Sequence, residues 1–264
     1  MKNTWTTFGL LLILLAVPAF PALAAGEFSK NCASTTLAIP DGRIVEGRLG
    51  NVSGEHIVWI KFPAKAGATY SIEAFHPTIA GTATPTVQVF NESDINPMTC
   101  GTVASTVTLR DTSNIDAVVQ ANGKRFSVTG TGADLFVRVS GFLNEVLSFQ
   151  VAETTQFHPG WSTGGGFNTF YSIQNTTNAS CSITLTLFNL AGTQVATTTQ
   201  SVAAAALLAT NTQALGVGAG LAGTGRLTHD CPPGGILVDA AIANFGTSPA
   251  AIIPAKFEAV RQTR

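Results

Sequence analysis

The segment Cys181-Ser182-Ile183-Thr184-Leu185-Thr186-Leu187-Phe188 alternates with a period of two. An extended strand turns successive side chains to opposite faces, so Cys181, Ile183, Leu185 and Leu187 share one buried face. The run Gly225-Arg226-Leu227-Thr228-His229-Asp230-Cys231 has the same parity, with Leu227, His229 and Cys231 on a common side. Two neighbouring strands of this kind can be stapled through a β core by a Cys181–Cys231 bridge.

Short β runs with turn residues between them fill the rest of the chain. In the first half they cover 44–49, 56–62, 69–75, 86–90, 134–139 and 147–151. Asp41-Gly42, 51–54, Ala66-Gly67, Asn122-Gly123 and 130–132 mark the reversals. In the second half the runs are 168–174, 182–188, 194–202, 206–212, 223–229, 236–244 and 252–260. Helical periodicity is weak throughout, so the expected fold is all-β: two tandem antiparallel β-sandwich domains.

Charge marks the boundary between them. Residues 26–153 hold 21 Asp, Glu, Lys and Arg residues, 154–224 hold none, and 225–264 hold seven. The expected organisation is a signal peptide over 1–24, one sandwich over 25–153 and a second over 154–264. The leader has Lys2 at its positive end, an apolar segment over 8–17 and Ala22-Leu23-Ala24 as the cleavage site. That apolar segment is too short to span a bilayer, and no membrane insertion is expected once the leader is removed. Without Lys2 the chain keeps 13 of its 14 basic residues against 15 acidic ones, net −2. Such a balance gives no electrostatic footprint for nucleic acid or anionic lipid. Four cysteines in an exported chain imply two disulfides. Three pairings are open, with the local pairs Cys32–Cys100 and Cys181–Cys231 preferred.

Several constellations invite a chemical reading. Gly160-Trp161-Ser162-Thr163-Gly164 has the form of a nucleophile elbow, which requires a strand before the serine and a helix after it. Here Pro159 precedes and Gly165-Gly166 and a strand follow, and no acid lies between Ser162 and His229. No catalytic residue is expected. Gly164-Gly165-Gly166 lacks the Lys-Ser/Thr of a phosphate loop and reads as a turn. His56, His76, His158 and His229 share no ligand spacing, and His229 reads as a buried structural histidine. Asp94, Asp111, Asp116 and Asp134 fall in loops or at strand starts but form no calcium array. No metal or cofactor is expected. The aromatic cluster Phe157, Trp161, Phe167, Phe170 and Tyr171 has two open readings. With His158 it forms a surface that stacks on a sugar ring or docks a partner, the candidate residues being Phe157, His158, Trp161, Phe167 and Tyr171, or it packs between the two sandwiches.

Two resemblances bear on function. Gly47 with Leu49, the aromatic strand His56-Ile57-Val58-Trp59-Ile60-Lys61-Phe62, and Ala66-Gly67-Ala68-Thr69-Tyr70-Ser71-Ile72 lead into Leu135-Phe136-Val137-Arg138-Val139-Ser140-Gly141 and Leu147-Ser148-Phe149-Gln150-Val151. Residues 42–153 thereby resemble the bacterial pre-peptidase C-terminal (PPC) domain, with a departure over 101–116. That resemblance implies a β-sandwich module accompanying secreted proteases and other exported proteins. Tyr171-Ser172-Ile173-Gln174-Asn175, Leu185-Thr186-Leu187-Phe188-Asn189 and Ala191-Gly192 make residues 155–262 similar to immunoglobulin-like modules of bacterial adhesins. The expected function is an exported, non-catalytic binding or structural protein, periplasmic or extracellular. Its partner would be another protein, a polysaccharide or a second copy of the chain. The alternatives are an accessory module of a secreted hydrolase system and a small serine hydrolase using Ser162.

Overall fold

A computed structural model describes residues 28–49, 56–76, 85–102, 107–112, 123–141 and 146–259. The leader at 1–24, the turn at 51–54, Asn122, Asp116 and the end of the last expected strand lie outside the described residues. The strands up to residue 153 are β1 (Thr36–Leu37), β2 (Asp41–Arg48), β3 (Ile57–Pro63), β4 (Thr69–Phe75), β5 (Thr86–Asn91), β6 (Ile95–Asn96), β7 (Gly101–Thr102), β8 (Arg110–Asp111), β9 (Gly123–Thr129), β10 (Asp134–Ser140) and β11 (Val146–Glu153). After it come β12 (Gln156–Ser162), β13 (Asn168–Asn175), β14 (Cys181–Asn189), β15 (Gln194–Val202), β16 (Leu207–Asn211), β17 (Ala222–His229), β18 (Ile236–Asn244), β19 (Ala251–Lys256) and β20 (Glu258–Ala259). The chain is all-β, and its only described helical pieces are 3-10 turns at Cys32–Ser34, Glu92–Asp94 and Gly164–Gly166.

The N-terminal half pairs a four-stranded sheet, β1-β3-β10-β5, with a five-stranded one, β2-β11-β4-β9-β8. Alternation decides what they enclose. Val58, Ile60 and Phe62 of β3 and Leu135, Val137 and Val139 of β10 meet Tyr70 and Ile72 of β4 and Leu147, Phe149 and Val151 of β11 in one core. The opposite face of β3 and β10 is also covered, because Trp59 and Phe136 form a second cluster with Phe90, Ile95 and Cys32. The Cys32–Cys100 bridge, with Cα atoms 5.5 Å apart, ties the segment over that face. β9 was not among the expected strands. Its outer face carries Arg125 and Ser127, and Arg125 lies directly opposite Glu73 in the β4–β9 register. The two form a buried ion pair, with Arg125 Nε 2.6 Å from Glu73 Oε1.

The C-terminal half repeats the plan with β15-β14-β17-β12-β20 and β16-β13-β18-β19. Ile183, Leu185, Leu187, Leu227 and Trp161 from the first sheet pack against Tyr171, Ile173, Ile236 and Val238 from the second. β14 and β17 are hydrogen-bonded neighbours, Ile183 opposite His229, and Cys181–Cys231 closes between them with Cα atoms 5.4 Å apart. Both preferred pairings are therefore present. β12 is a further strand outside the expected runs. Its ladder with β17 shifts register between His158 and Trp161, and Pro159-Gly160 sits in that bulge.

Candidate binding cleft

β11 ends at Glu153 and β12 begins at Gln156, so only Thr154 and Thr155 connect the two sheet pairs, and both are buried. Both threonines hydrogen-bond across this joint. Thr154 N donates to Thr69 O at 2.8 Å, Thr154 Oγ1 donates to His229 O at 3.0 Å, and Thr69 N donates to Thr155 Oγ1 at 2.8 Å. Lys65 Nζ reaches Glu153 Oε2 at 2.8 Å beside it. Gly67 has φ of +69°, and a Cβ there would lie 3.0 Å from Arg226 Nη1 of the other half. Glycine at that turn thus serves both its left-handed backbone and the close approach of Arg226.

Beside this joint lies a cleft of about 300 Å³ to which both halves contribute. Thr69, Thr108, Ser127 and Thr129 supply hydroxyls from one side, and Ser182, Thr184 and Thr228 from the other. An ion pair between Arg110 and Asp230 crosses it. Burial pushes the Asp230 carboxyl above its ordinary range, while the Ser182 backbone N–H, 2.7 Å from Oδ1, and the Arg110 charge pull the other way. His229, at the cleft wall, is driven down to about 4 by burial, opposed by a hydrogen bond to the Cys231 backbone. It is neutral at pH 7. The cleft thus joins one compensated charge pair to groups that both donate and accept hydrogen bonds.

The hydroxyls continue beyond the cleft. Thr228 lies opposite Thr184, and Thr184 lies opposite Thr199, giving a row across β17, β14 and β15. Thr184 and Thr199 hydroxyls are 2.9 Å apart, and Thr186 and Thr197 repeat the contact at 3.3 Å in the next row.

Trp161, His158 and Tyr171, expected either at a binding surface or between the sandwiches, go elsewhere, and for these three both readings are corrected. Trp161 is 1% exposed and donates Nε1–H to Phe188 O at 3.1 Å and Thr224 O at 2.9 Å. His158 is equally buried, stacked on Phe257 at 4.9 Å and edge-on to Tyr171 at 5.8 Å. Burial lowers His158 to about 4 and raises the buried Tyr171 phenol. Inward parity on β12 and β13 places all three inside the C-terminal sandwich, whereas the joint between halves is made of threonines and charges. Phe157 and Phe167 are half-buried. Of the remaining set, Phe170 has outward parity and meets the exposed Phe245 edge-on at 5.6 Å.

The other sequence motifs resolve as follows. Ser162 Oγ accepts from Gly164 N at 3.1 Å, and no described hydrogen bond joins it to a histidine. Asp230 lies beside Cys181 and Cys231, but those sulfurs are bonded to each other and offer no thiolate. Asp94 accepts from Asn91 N, Asp111 pairs with Lys124 and Asp134 with Lys61. No described carboxylate cluster forms around them. Sequence reasoning missed Arg110, Asp230 and the hydroxyl set as a site because they come together only across the joint. Outward parity of Ser182, Thr184 and Thr228 was the one signal available. No protein-family model matches the chain, and comparison with curated proteins finds no match.

Proposed function

We propose that this is an exported, non-catalytic binding protein that holds a segment of neutral polysaccharide in the cleft between its two sandwiches. One observation carries the reading: the hydroxyl-lined cleft runs on into the threonine rows of β14 and β15. Pockets for apolar ligands are lined mainly by apolar side chains, and Val128 is the only such side chain among the described residues along this cleft. An anionic ligand would have to displace Asp230 from Arg110. Sugar hydroxyls both donate and accept, as do those of Thr and Ser, and a guanidinium–carboxylate pair presents donors and acceptors side by side. The absence of Asp, Glu, Lys and Arg over 154–224 fits a neutral partner.

The two disulfides support export, as does the leader-like N-terminus, and no described helix is long and apolar enough to cross a membrane. The resemblance of 42–153 to pre-peptidase C-terminal modules supports an accessory, binding role of the same kind. A glycan array probed with the mature chain tests the proposal. Retention of neutral glycans, weakened roughly fivefold by Thr184→Val and again by Thr228→Val, is the expected outcome, each substitution removing one neutral hydrogen bond. An array with no neutral glycan retained, or binding indifferent to both substitutions, contradicts it.

A further inference from the structure

β15 is an edge strand, hydrogen-bonded to β14 on one side only. Exposed edges ordinarily carry a guard against pairing: short length, proline, charge or an inward-pointing lysine. The other described edges show such guards or are shorter. β1, β8 and β20 have two residues each, β19 contains Pro254, β2 carries Asp41, Arg43, Glu46 and Arg48, and β5 and β16 have six and five residues. β15 runs for nine residues, Gln-Val-Ala-Thr-Thr-Thr-Gln-Ser-Val, with no charge and no proline. A second feature lies along the same edge. A groove of about 220 Å³ opens between β15 and β16, with Thr198, Gln200 and Leu208 at its walls and the core residues Ile173, Ile183 and Leu185 behind them. The sandwich is open on the side where the unguarded edge lies.

We infer that β15 pairs with β15 of a second copy, antiparallel about Thr198, to make one continuous ten-stranded sheet. The occupant follows from the strand itself. An identical edge matches in length, and having no ionisable group it meets its copy without like-charge repulsion or the desolvation of a charge. With Thr198 opposite Thr198, alternation keeps Thr197 and Thr199 of both copies on the outer face, while Ala196, Thr198 and Gln200 of each face the groove side. Thr199 of one copy then lies opposite Thr197 of the other, so the threonine rows of the two copies join. This last consequence links two clefts on one polymer and rests on the function proposed above; the pairing itself does not.

Sedimentation velocity of the mature chain, without glycan, from micromolar to near-millimolar concentration tests the pairing. The expected result is a reversible dimer in the wild type, with association weakened roughly a hundredfold or more by Thr198→Lys, which puts an unpaired charge into the new sheet. Hydrogen exchange on the wild type provides a readout independent of that variant. Those amides of 195–201 that point away from β14 should gain protection with concentration while those of β19 do not. A wild type that stays monomeric throughout, a dimer that Thr198→Lys leaves intact, or concentration-independent exchange in β15 each overturns the inference.

Discussion

His158 and His229 are both buried where desolvation outweighs whatever favours an imidazolium. Both titrate near 4 in the folded chain, below the ordinary 6.5, because burial disfavours the charged ring. The unfolded chain therefore takes up their protons first as pH falls. Stability from these rings is complete above about 6.5 and is lost as pH drops through about 4, by about 3 kcal/mol for His229. Asp230 acts in the opposite sense. Its raised value makes its contribution present at low pH and lost as pH rises through the folded-state value. Urea midpoints for the wild type should thus fall between pH 7 and pH 4, and His158→Phe, whose ring keeps the stack on Phe257, should show a smaller fall. Equal pH dependence in the two proteins contradicts the assignment. Trp161 tests the same core by packing: Trp161→Ala removes a fully buried indole and two hydrogen bonds and should cost about 3–5 kcal/mol in denaturant unfolding.

At the scale of elements, what was legible followed from alternation. β14 and β17 were readable because Ile183, Leu185 and Leu227 alternate with threonines, and the parity of Cys181 and Cys231 put their sulfurs on one face. β9 was not readable, since its outer face holds Arg125 and Ser127 and becomes a buried surface only when Glu73 lies across from it. β12 was hidden by Pro159-Gly160, which reads as a turn in isolation and is a bulge when β17 runs alongside. Two predictions belong here. Glu73→Ala leaves Arg125 buried without its carboxylate and should cost about 3–5 kcal/mol, measured by chemical unfolding. Removing either bridge by paired Cys→Ala substitution frees a loop of 68 or 50 residues in the unfolded chain and should cost about 4 kcal/mol in each case. A loss near zero for Cys181/Cys231 would show that β14 and β17 hold their register without the covalent tie.

The whole molecule adds what neither half holds alone. Arg110 and Asp230 are more than a hundred residues apart and belong to different sheet pairs, so the cleft exists only through the two-residue joint at Thr154-Thr155. That is why the site escaped the sequence: threonines spaced along strands mark a solvated face, and only the joint turns that face into one wall of a cavity. The joint's hydrogen bonds to Thr69 and His229 fix one half against the other, which lets hydroxyls from both sides converge. Amide chemical-shift mapping of residues 25–264, titrated with a neutral oligosaccharide selected on the array, measures this directly. The account predicts perturbations concentrated at Thr108 and Arg110, Ser127 to Thr129, Ser182 to Thr184 and Thr228 to Asp230; perturbations confined to the Phe170–Phe245 face, with those amides silent, would contradict it.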